Sequence, residues 1–247
     1  MNRIAAPIAL AAMAMTPVTA QETSAPRRVV VMLAHPDDEL PMAPAIAALA
    51  RQGASVTIIH ATPGDAGPGV SGMAKGEALA DTRRAEAQCA GRALGVAAVD
   101  NLGFGDGRLA ERVRDNALTG AMVPYLSSAD TVLTWGPDGG YGHADHRLVS
   151  ALTTQIVQAM PAADRPTLLY VGIPAGSLPP VPDMASWGTT DPALLTQSIA
   201  YTPADLAAAK AAAACHVTQF DAATRAGMMP LFDATMWRGT VHFRPAF

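Results

Sequence analysis

The clearest hydrophobic pattern in the chain is the continuous apolar run Val29–Leu33. A strand exposed on one face alternates apolar and polar residues, so a run without polar positions predicts a strand buried on both faces. Further apolar runs of strand length follow along the chain, bounded by turn-forming residues. We predict the other strands at Ser55–Ala61, Ala97–Leu102, Thr131–Trp135, Thr167–Ile173 and Thr240–Phe243.

Segments of helical length, mostly rich in alanine and leucine, separate these strands. We predict helices at Glu39–Arg51, Glu77–Leu94, Leu109–Leu126, Ala144–Met160 and Pro203–Gln219. Strands that alternate with helices are typical of an α/β fold, in which a mainly parallel sheet carries helices on both faces. The expected fold class is therefore Rossmann-like α/β, with residues 21–247 forming a single domain.

Glycine- and proline-rich segments follow several of the predicted strands. Thr62–Gly76 is the longest, and Gly103–Gly107 and Gly136–Gly142 follow two later strands. Long ordered loops next to the ends of core strands usually bind ligands or cover them. The proline-rich segment 174–192 has little periodicity, so we expect an irregular excursion there.

Composition and charge limit the classes of partner. The chain has 247 residues, a formal net charge of −4 at pH 7 and a pI near 5.8. A nucleic-acid-binding domain usually presents a basic face, so this balance argues against a nucleic-acid partner. Small-molecule ligands remain open, and the sequence carries no signal for a particular oligomeric state.

Residues 1–20 resemble a secretory signal peptide. A weakly positive start precedes the apolar stretch Ile4–Met15, and Val18 and Ala20 place small residues at the −3 and −1 positions of a cleavage site. The stretch is too short to span a membrane, and we expect no membrane span after cleavage. The sequence therefore predicts an exported protein, periplasmic or secreted.

Cys89 and Cys215 are the two cysteines of the chain. In an oxidising compartment they could form a disulfide. Both, however, lie in alanine-rich helical segments, where cysteine often serves as a small apolar residue. The composition therefore favours unpaired thiols, but the sequence leaves the pairing open.

The first concentration of polar chemistry follows the strand Val29–Leu33 directly. His35, Asp37, Asp38 and Glu39 lie within five positions. Charged groups beside a buried strand are costly unless they are paired, and a bound cation would pair them. Because ligands of open α/β sheets gather beyond the carboxyl ends of the strands, this loop is a candidate for half of a metal site.

The second concentration follows the predicted strand Thr131–Trp135. His143 and His146 are three residues apart, so they share one face if a helix begins here, and Asp145 could orient one of the rings. Two imidazoles and a carboxylate form a ligand set suited to catalytic zinc. The predicted site therefore combines His35 and Asp38 with one of these histidines.

Each cluster also has a structural interpretation. The three acids after the first strand could be the N-terminal charges of the next helix, where carboxylates are favourable. His143 and His146 could be exposed helical residues. Neither alternative explains why a histidine and three carboxylates in one loop are matched by a second cluster at another strand end. The metal site is thus the favoured interpretation.

Two motifs carry a resemblance to a known family. Ala34–Glu39 (AHPDDE) and Gly139–His146 (GGYGHADH) resemble the PIG-L/LmbE family of zinc-dependent de-N-acetylases. The family includes enzymes that deacetylate N-acetylglucosaminyl-phosphatidylinositol, precursors of bacterial thiols, and antibiotics. The segments Arg83–Glu86, Leu102–Gly107 and Lys210–Gln219 resemble further family segments in the same order.

The resemblance implies one zinc ion per chain, or another divalent metal in its place. His35, Asp38 and His146 match the metal ligands of the family. Asp37 matches the general base, and His143 matches the histidine that assists at the transition state.

The remaining assignments implied by the resemblance concern positioning and substrate. Tyr141 matches a tyrosine that polarises the carbonyl group, and Asp145 matches the residue that orients the assisting histidine. Arg83 and Asp106 match positions that contact the sugar. Ala144 departs from the family, in which proline is common at this position, and its side chain has no chemical role.

The expected function is hydrolysis of an N-acetyl or other N-acyl group on an amino sugar or glycoside, with a small N-acetylated sugar or glycan as partner. One alternative is a metal-dependent amidase or esterase for a non-sugar substrate. Another is a secreted sugar-binding module without turnover. Asp37 and His143 argue against this module, because binding alone requires neither. The segment 174–192 does not align with the family, so the resemblance leaves the shape of the substrate pocket open.

Overall fold

A computed structural model describes residues 27–114 and 116–247, and these residues form a seven-stranded sheet flanked by helices. The strands are β1 (Arg28–Leu33), β2 (Ser55–His60), β3 (Ala98–Asn101), β4 (Thr131–Trp135), β5 (Thr167–Gly172), β6 (Gln197–Ala200) and β7 (Thr240–Pro245). Their order is β3-β2-β1-β4-β5-β7-β6. β1 to β5 are parallel, whereas β7 is antiparallel to β5 and β6. The mainly parallel sheet predicted from the sequence is confirmed.

Helices connect the strands and cover both faces of the sheet, as predicted. They are α1 (Ala43–Arg51), α2 (Glu77–Leu94), α3 (Ala117–Ser128), the single irregular turn α4 (Gly139–Gly142), α5 (Ala144–Gln158), α6 (Pro203–Cys215) and α7 (Ala222–Phe232).

The apolar run of β1 is divided between the two faces. Val29, Val31 and Leu33 belong to one hydrophobic core, which also contains buried residues of α1, α2 and α6. Val30 and Met32 belong to the other core, together with residues of α3 and α5. Since side chains alternate between the faces of a strand, both sets must be apolar in the middle of the sheet. This requirement explains the uniform composition of β1.

Two predicted helices begin differently in the structure. The predicted helix Leu109–Leu126 is interrupted: Leu109–Arg112 form a 3-10 turn, and α3 begins only after Asn116, whose φ of 57° is left-handed. A second 3-10 turn, Leu40–Met42, precedes α1. Pro41 lies in this turn, where its missing N–H costs no helical hydrogen bond.

The sequence pattern missed two elements near the C-terminus. β6 lies at the edge of the sheet and is mostly exposed, so it has no apolar alternation to reveal it. α7 starts at a cap in which the Asp221 carboxylate accepts the Thr224 backbone N–H at 2.7 Å. The predicted helix Pro203–Gln219 is shorter than expected, because α6 ends at Cys215. β7 corresponds to the predicted last strand.

Cys89 and Cys215 form a disulfide, which decides the pairing that the sequence left open and corrects the favoured interpretation of unpaired thiols. Cys89 lies on α2 and Cys215 is the last residue of α6. Their Cα atoms are 5.8 Å apart, within the range that a disulfide spans. The alanine-rich composition of both helices, which favoured unpaired cysteines, is also what lets the helices approach this closely.

Replacing Cys89 or Cys215 by serine is expected to lower the free energy of unfolding by about 2–4 kcal/mol. The disulfide joins residues 126 positions apart and therefore restricts the unfolded chain strongly. Denaturant unfolding of the Cys89→Ser and Cys215→Ser variants measures the effect. A loss below about 0.5 kcal/mol would show that the disulfide has no important part in stability.

The predicted signal peptide, residues 1–20, lies outside the described residues. Within the described part of the chain, no helix is both long and apolar enough to cross a membrane.

The parallel strands place one set of loops at a single edge of the sheet. The carboxyl ends of β1, β2, β3 and β4 all lie at this edge, and so do the glycine-rich loops that follow β2 and β3. Ligand sites of open α/β sheets form in this position. Both polar clusters of the sequence lie here.

Candidate metal centre

The loop after β1 is closed by Asp38. The Oδ2 atom of Asp38 accepts hydrogen bonds from the backbone N–H groups of Ala34 and His35, at 3.0 and 2.8 Å. Asp37, the residue before Asp38, has a φ of 101°, which non-glycine residues rarely adopt. Such a backbone is retained only where its surroundings fix it, and it occurs most often at functional sites.

His35 and Asp38 meet His146, which lies in the first turn of α5. His35 Nδ1 is 3.1 Å from His146 Nε2, and His146 Nε2 is 2.9 Å from Asp38 Oδ1. His35 Nδ1 is also 3.6 Å from Asp38 Oδ2. All three residues are buried. Two imidazole nitrogens and a carboxylate around one point match the ligands of catalytic zinc sites, so these residues fit a divalent metal.

The second ring nitrogen of each histidine faces a protein oxygen. His146 Nδ1 is 3.1 Å from the Gly139 carbonyl oxygen. His35 Nε2 is 3.0 Å from Asp106 Oδ1 and 3.4 Å from Asp145 Oδ2. Partners of this kind fix the ring orientation and the tautomer of metal-binding histidines. We therefore interpret Asp106 and Asp145 as supports of His35, although these three residues also have potential ligand atoms within 4.8 Å of one another.

The electrostatics of the cluster favour a bound cation. Burial acts to lower the pKa of His35, but Asp106, Asp145 and Asp38 raise it well above its usual value. Burial acts to raise the pKa of Asp38, but His146 and His35 lower it well below its usual range. The Asp38 carboxylate is thus ionised, and a proton on His35 offsets its charge. A divalent cation would replace that proton, because histidine binds metal in its neutral form.

Asp37 lines the cavity next to Asp38, one of the three candidate ligand residues. Its Oδ1 atom is 3.3 Å from Arg83 Nη2. Burial raises the pKa of Asp37 to about 6, and the charge of Arg83 opposes that rise. A carboxylate with a pKa near the working pH can both accept and return a proton. A cation bound at Asp38 would lower this pKa and favour the ionised, proton-accepting form.

Glu39 binds the backbone of Asp37, and both of its carboxylate oxygens have partners. Its Oε2 atom accepts the Asp37 backbone N–H at 3.1 Å, and its Oε1 atom is 2.6 Å from His216 Nε2. His60 Nε2 lies 3.6 Å from Oε2. Burial acts to raise the pKa of Glu39, but His216 and His60 lower it far below its usual range. Sequence reasoning gave no role to His60 or His216, although His216 lies in a segment that resembles the family.

Replacing His216 by alanine is expected to lower the free energy of unfolding by about 3–5 kcal/mol, because it leaves the Glu39 carboxylate buried beside one partner fewer. In the double variant Glu39→Gln/His216→Ala, part of this loss should be recovered, since the buried charge is also removed. Denaturant unfolding measures both. The control Glu111→Gln breaks an exposed ion pair with Arg108 and should change stability by less than about 1 kcal/mol. Equal losses in the single and double variants would contradict the assigned charge pair.

Tyr141 is placed by the glycine turn α4. Gly140 has a φ of 74°, and a Cβ atom there would lie 2.6 Å from the Trp135 ring, so only glycine fits. Tyr141 is 43% exposed as a residue, and its ring contacts the rings of His143 and His146, with centroids 6.0 and 5.2 Å away. Burial and the nearby carboxylates of Asp38 and Asp37 raise the pKa of Tyr141. Its hydroxyl therefore stays protonated and can donate a hydrogen bond.

His143 lies beside His35 and His146 and caps α5. Its ring centroid is 4.8 Å from that of His35 and 4.6 Å from that of His146. Its Nδ1 atom accepts the Asp145 backbone N–H at 3.3 Å. Burial and the neighbouring histidines lower the pKa of His143, so the neutral ring is favoured.

Asp145 orients a different ring from the one predicted. Its Oδ2 atom accepts the Gly107 backbone N–H at 2.8 Å and faces His35 at 3.4 Å. The prediction that Asp145 orients His143 requires a contact between the Asp145 carboxylate and the His143 ring. In the structure the His143 ring instead contacts the Asp145 backbone N–H. The reason is the cap: His143 folds back over the start of α5, whereas Asp145, in the first turn, points towards the loop after β1.

Arg83 and Asp106 support loops, and neither belongs to the residues that line the cavity. Arg83 is 3% exposed, and its guanidinium donates hydrogen bonds to the carbonyl oxygens of Gly64, Gly67 and Pro36. Asp106 faces His35 and accepts the Ala66 backbone N–H at 3.2 Å. These positions differ from the predicted sugar contacts, because both side chains are used to hold the loops around the centre.

The fold and the cluster together define an α/β protein with a buried centre of two histidines and one aspartate at the carboxyl edge of its sheet. The sequence model of the family described as "PIG-L: GlcNAc-PI de-N-acetylase" matches residues 30–157, and the chain belongs to this family. The matched range includes both motifs on which the resemblance was based. The family consists of N-deacetylases, hydrolases that act on amide bonds.

Similar proteins include a curated relative and solved structures. A 1D-myo-inositol 2-acetamido-2-deoxy-alpha-D-glucopyranoside deacetylase from Rhodococcus erythropolis is 33% identical over 173 residues, which covers 58% of this chain and 57% of the relative. The match thus spans little more than half of that relative. The N,N'-diacetylchitobiose deacetylase from Pyrococcus horikoshii has a TM-score of 0.66 and 22% identity, over 89% of this chain and 83% of that chain.

The same fold also occurs in a protein named for a different reaction. GalB, the 4-carboxy-2-hydroxymuconate hydratase from Pseudomonas putida KT2440, has a TM-score of 0.61 and 17% identity, over 90% of this chain and 96% of that chain. At such identities the likeness shows the fold alone. The reaction must therefore be argued from the side chains of the centre.

Proposed function

We propose that this protein is a zinc-dependent hydrolase that removes an N-acetyl group, or a related N-acyl group, from an amino sugar or glycoside. The observation that carries the proposal is the convergence of His35, Asp38 and His146 on one point, with Asp37 beside them on the cavity wall. The family match supports the amide bond as the target. The names of the relatives support an N-acetylated sugar as the substrate.

His35, Asp38 and His146 would hold the metal, and their nitrogen and oxygen donors suit zinc. Bound there, zinc would supply Lewis acidity, which polarises the amide carbonyl and makes a water molecule more acidic. The carboxylates Asp106 and Asp145 keep the His35 ring directed at this point.

The remaining steps belong to side chains around the cavity. Asp37 takes a proton from the attacking water as its oxygen bonds to the carbonyl carbon. The Tyr141 hydroxyl, which stays protonated, donates a hydrogen bond to the carbonyl oxygen as negative charge develops there. When the C–N bond breaks, the nitrogen needs a proton, and Asp37 returns the one it took from water. His143, the alternative donor, would first have to be protonated, and its lowered pKa disfavours that form. The products are a carboxylic acid and a free amine.

We further propose that the protein acts outside the cytoplasm. The signal-like segment 1–20 is the sequence argument for export. The disulfide between Cys89 and Cys215 supports it, because disulfides persist mainly in oxidising compartments. Fractionation of the producing cells tests this: a mature chain shortened by the segment 1–20 should appear outside the cytoplasm, and a full-length cytoplasmic chain would contradict export.

One experiment separates the proposed function from its two alternatives. The zinc-loaded protein is incubated with a methyl glycoside of N-acetylglucosamine, with a simple aryl acetamide and with an aryl acetate, and free amine and acetate are measured. Preferred hydrolysis of the glycoside is the expected result. Preference for either aryl substrate would indicate a non-sugar amidase or esterase. Binding of the sugar without any product would indicate a binding module.

A further inference from the structure

A cavity of about 980 Å³ opens beside Asp37 and Asp38. This volume is at the upper end of the range for small-molecule sites, which bind ligands of drug size. A single N-acetylated monosaccharide would leave much of it unfilled. The cavity therefore indicates a substrate with an additional group next to the amide.

The walls of the cavity are predominantly apolar and aromatic. They include Trp135, Met184, Trp187, Phe220, Met228 and Phe232. Trp187 connects the two sides of the wall, because its ring centroid is 6.0 Å from that of Trp135, 5.5 Å from that of Tyr141 and 6.4 Å from that of Phe232. Such walls gain free energy by removing apolar surface of a ligand from water.

Much of this wall comes from the part of the chain beyond the family match. The match ends at residue 157, whereas Met184 and Trp187 belong to the irregular segment 174–192 and Phe232 belongs to α7. The metal ligands come from the matched part. The candidate metal centre thus lies in the part shared with the family, whereas much of the cavity wall lies outside it. The substrate class must therefore be deduced from the residues of this wall.

The charges on the cavity are all negative. Among the described residues that line it, the charged side chains are Asp37, Asp38, Asp183 and Asp221, and none is lysine or arginine. Arg83 pairs with Asp37 from behind the wall, and its guanidinium also donates to the carbonyl oxygens of Gly64 and Pro36, so it does not line the cavity. Asp183 and Asp221 are exposed near the opening, so a phosphate group in the cavity would meet carboxylates without a basic partner. A divalent cation at the centre would offset Asp37 and Asp38, so Asp183 and Asp221 set the field at the opening, and this field disfavours an anionic substituent.

We propose that the cavity binds an uncharged hydrophobic group of the substrate, an alkyl or aryl group of roughly ten carbons attached close to the amide that is cleaved. This inference rests on the proposed deacetylase function and specifies its substrate class. The group can belong to the acyl side or to the glycoside side of the amide, and the hydrophobic chemistry is the same in both cases. Phosphorylated amino sugars are excluded from the preferred substrates.

The test compares kcat/KM of the zinc-loaded full chain for matched compounds below their micelle concentrations. They are the methyl and decyl glycosides of N-acetylglucosamine, methyl N-decanoylglucosaminide, N,N'-diacetylchitobiose and N-acetylglucosamine 1-phosphate. The decyl or the decanoyl compound should exceed the methyl glycoside by about 100-fold, as burial of a few methylene groups allows. A faster decyl glycoside places the group on the glycoside side, and a faster decanoyl compound on the acyl side. The inference is overturned if chitobiose or the phosphate is the best substrate.

Variants tie the preference to the cavity. Trp187→Ala should reduce the ratio of kcat/KM for the preferred decyl or decanoyl compound to that for the methyl glycoside by about 10-fold. The matched control Leu194→Ala removes an apolar side chain that is 55% exposed and outside the cavity, and its ratio should stay unchanged. Ser186→Lys places a cation on the exposed wall and should raise kcat/KM for the 1-phosphate by about threefold. An unchanged ratio in folded Trp187→Ala, or no gain in Ser186→Lys, contradicts the inference.

A binding measurement separates failure of this inference from failure of the proposed function. Trp135 and Trp187 both line the cavity, so decyl glucoside, which has no amide, should change the tryptophan fluorescence, whereas methyl glucoside should not. If no N-acyl compound is hydrolysed but decyl glucoside binds, the deacetylase function fails and the hydrophobic cavity stands. If the methyl glycoside of N-acetylglucosamine is hydrolysed but decyl glucoside does not bind, the function stands and the inference fails.

Discussion

The Asp37→Asn variant is expected to retain its metal and to lose about 100- to 10,000-fold in kcat, the range that a positioned general base contributes. Asparagine keeps the size of the side chain but cannot accept the proton of the attacking water. Asp37 is not among the three converging ligand residues, so metal content should remain at one equivalent. Metal analysis and the rate of amine release, measured on the same preparation, check both parts.

The control for this variant is Asp164→Asn, which removes an exposed carboxylate in the loop after α5. Its activity should equal that of the unmodified chain. An Asp37→Asn variant with full activity would show that another group accepts the proton. A loss of metal would show instead that Asp37 belongs to the ligands.

The His146→Ala variant is expected to lose both metal and activity. Removing even an outer partner of a metal ligand typically weakens metal binding by about 10- to 100-fold, so loss of the ligand itself should exceed that range. Asp106→Asn, which alters one partner of His35 and none of the candidate ligands, should fall within it. Titration with zinc measures the metal affinity of each variant, and the rate of amine release measures its activity.

His242→Ala is the matched histidine control, because His242 lies on β7 and outside the centre. Its affinity for zinc should not change. Normal zinc affinity in His146→Ala would contradict the assigned ligand set, and His143 would be the first alternative, since its ring nitrogen lies within 4.8 Å of those of His35 and His146.

The parts of the molecule that could be predicted from the sequence depend on strong local patterns. The uniformly apolar β1 can be recognised because a central parallel strand must be apolar on both faces. The meeting of His35 and Asp38 with His146 follows from the same topology, because parallel strands bring their carboxyl ends to one edge. His35 and His146 are 111 positions apart in the sequence, and the pairing of β1 with β4 brings them together.

The parts that could not be predicted depend on contacts between distant segments. Glu39 and His216 are 177 positions apart, and neither shows its partner in its local sequence. The direction of Arg83 is decided by the carbonyl oxygens of the loops it supports, which periodicity does not describe. The disulfide depends on how closely α2 and α6 pack, a property of tertiary structure. β6 was missed because an exposed edge strand carries no apolar pattern.

The central claim is that His35, Asp38 and His146 bind a catalytic metal, and a zinc titration of the metal-free chain tests it most directly. Release of free amine from the methyl glycoside of N-acetylglucosamine is followed as zinc is added after treatment with a chelator. The account predicts activity near background without metal and a rise that is complete at one zinc per chain. Full activity in the metal-free chain would contradict it.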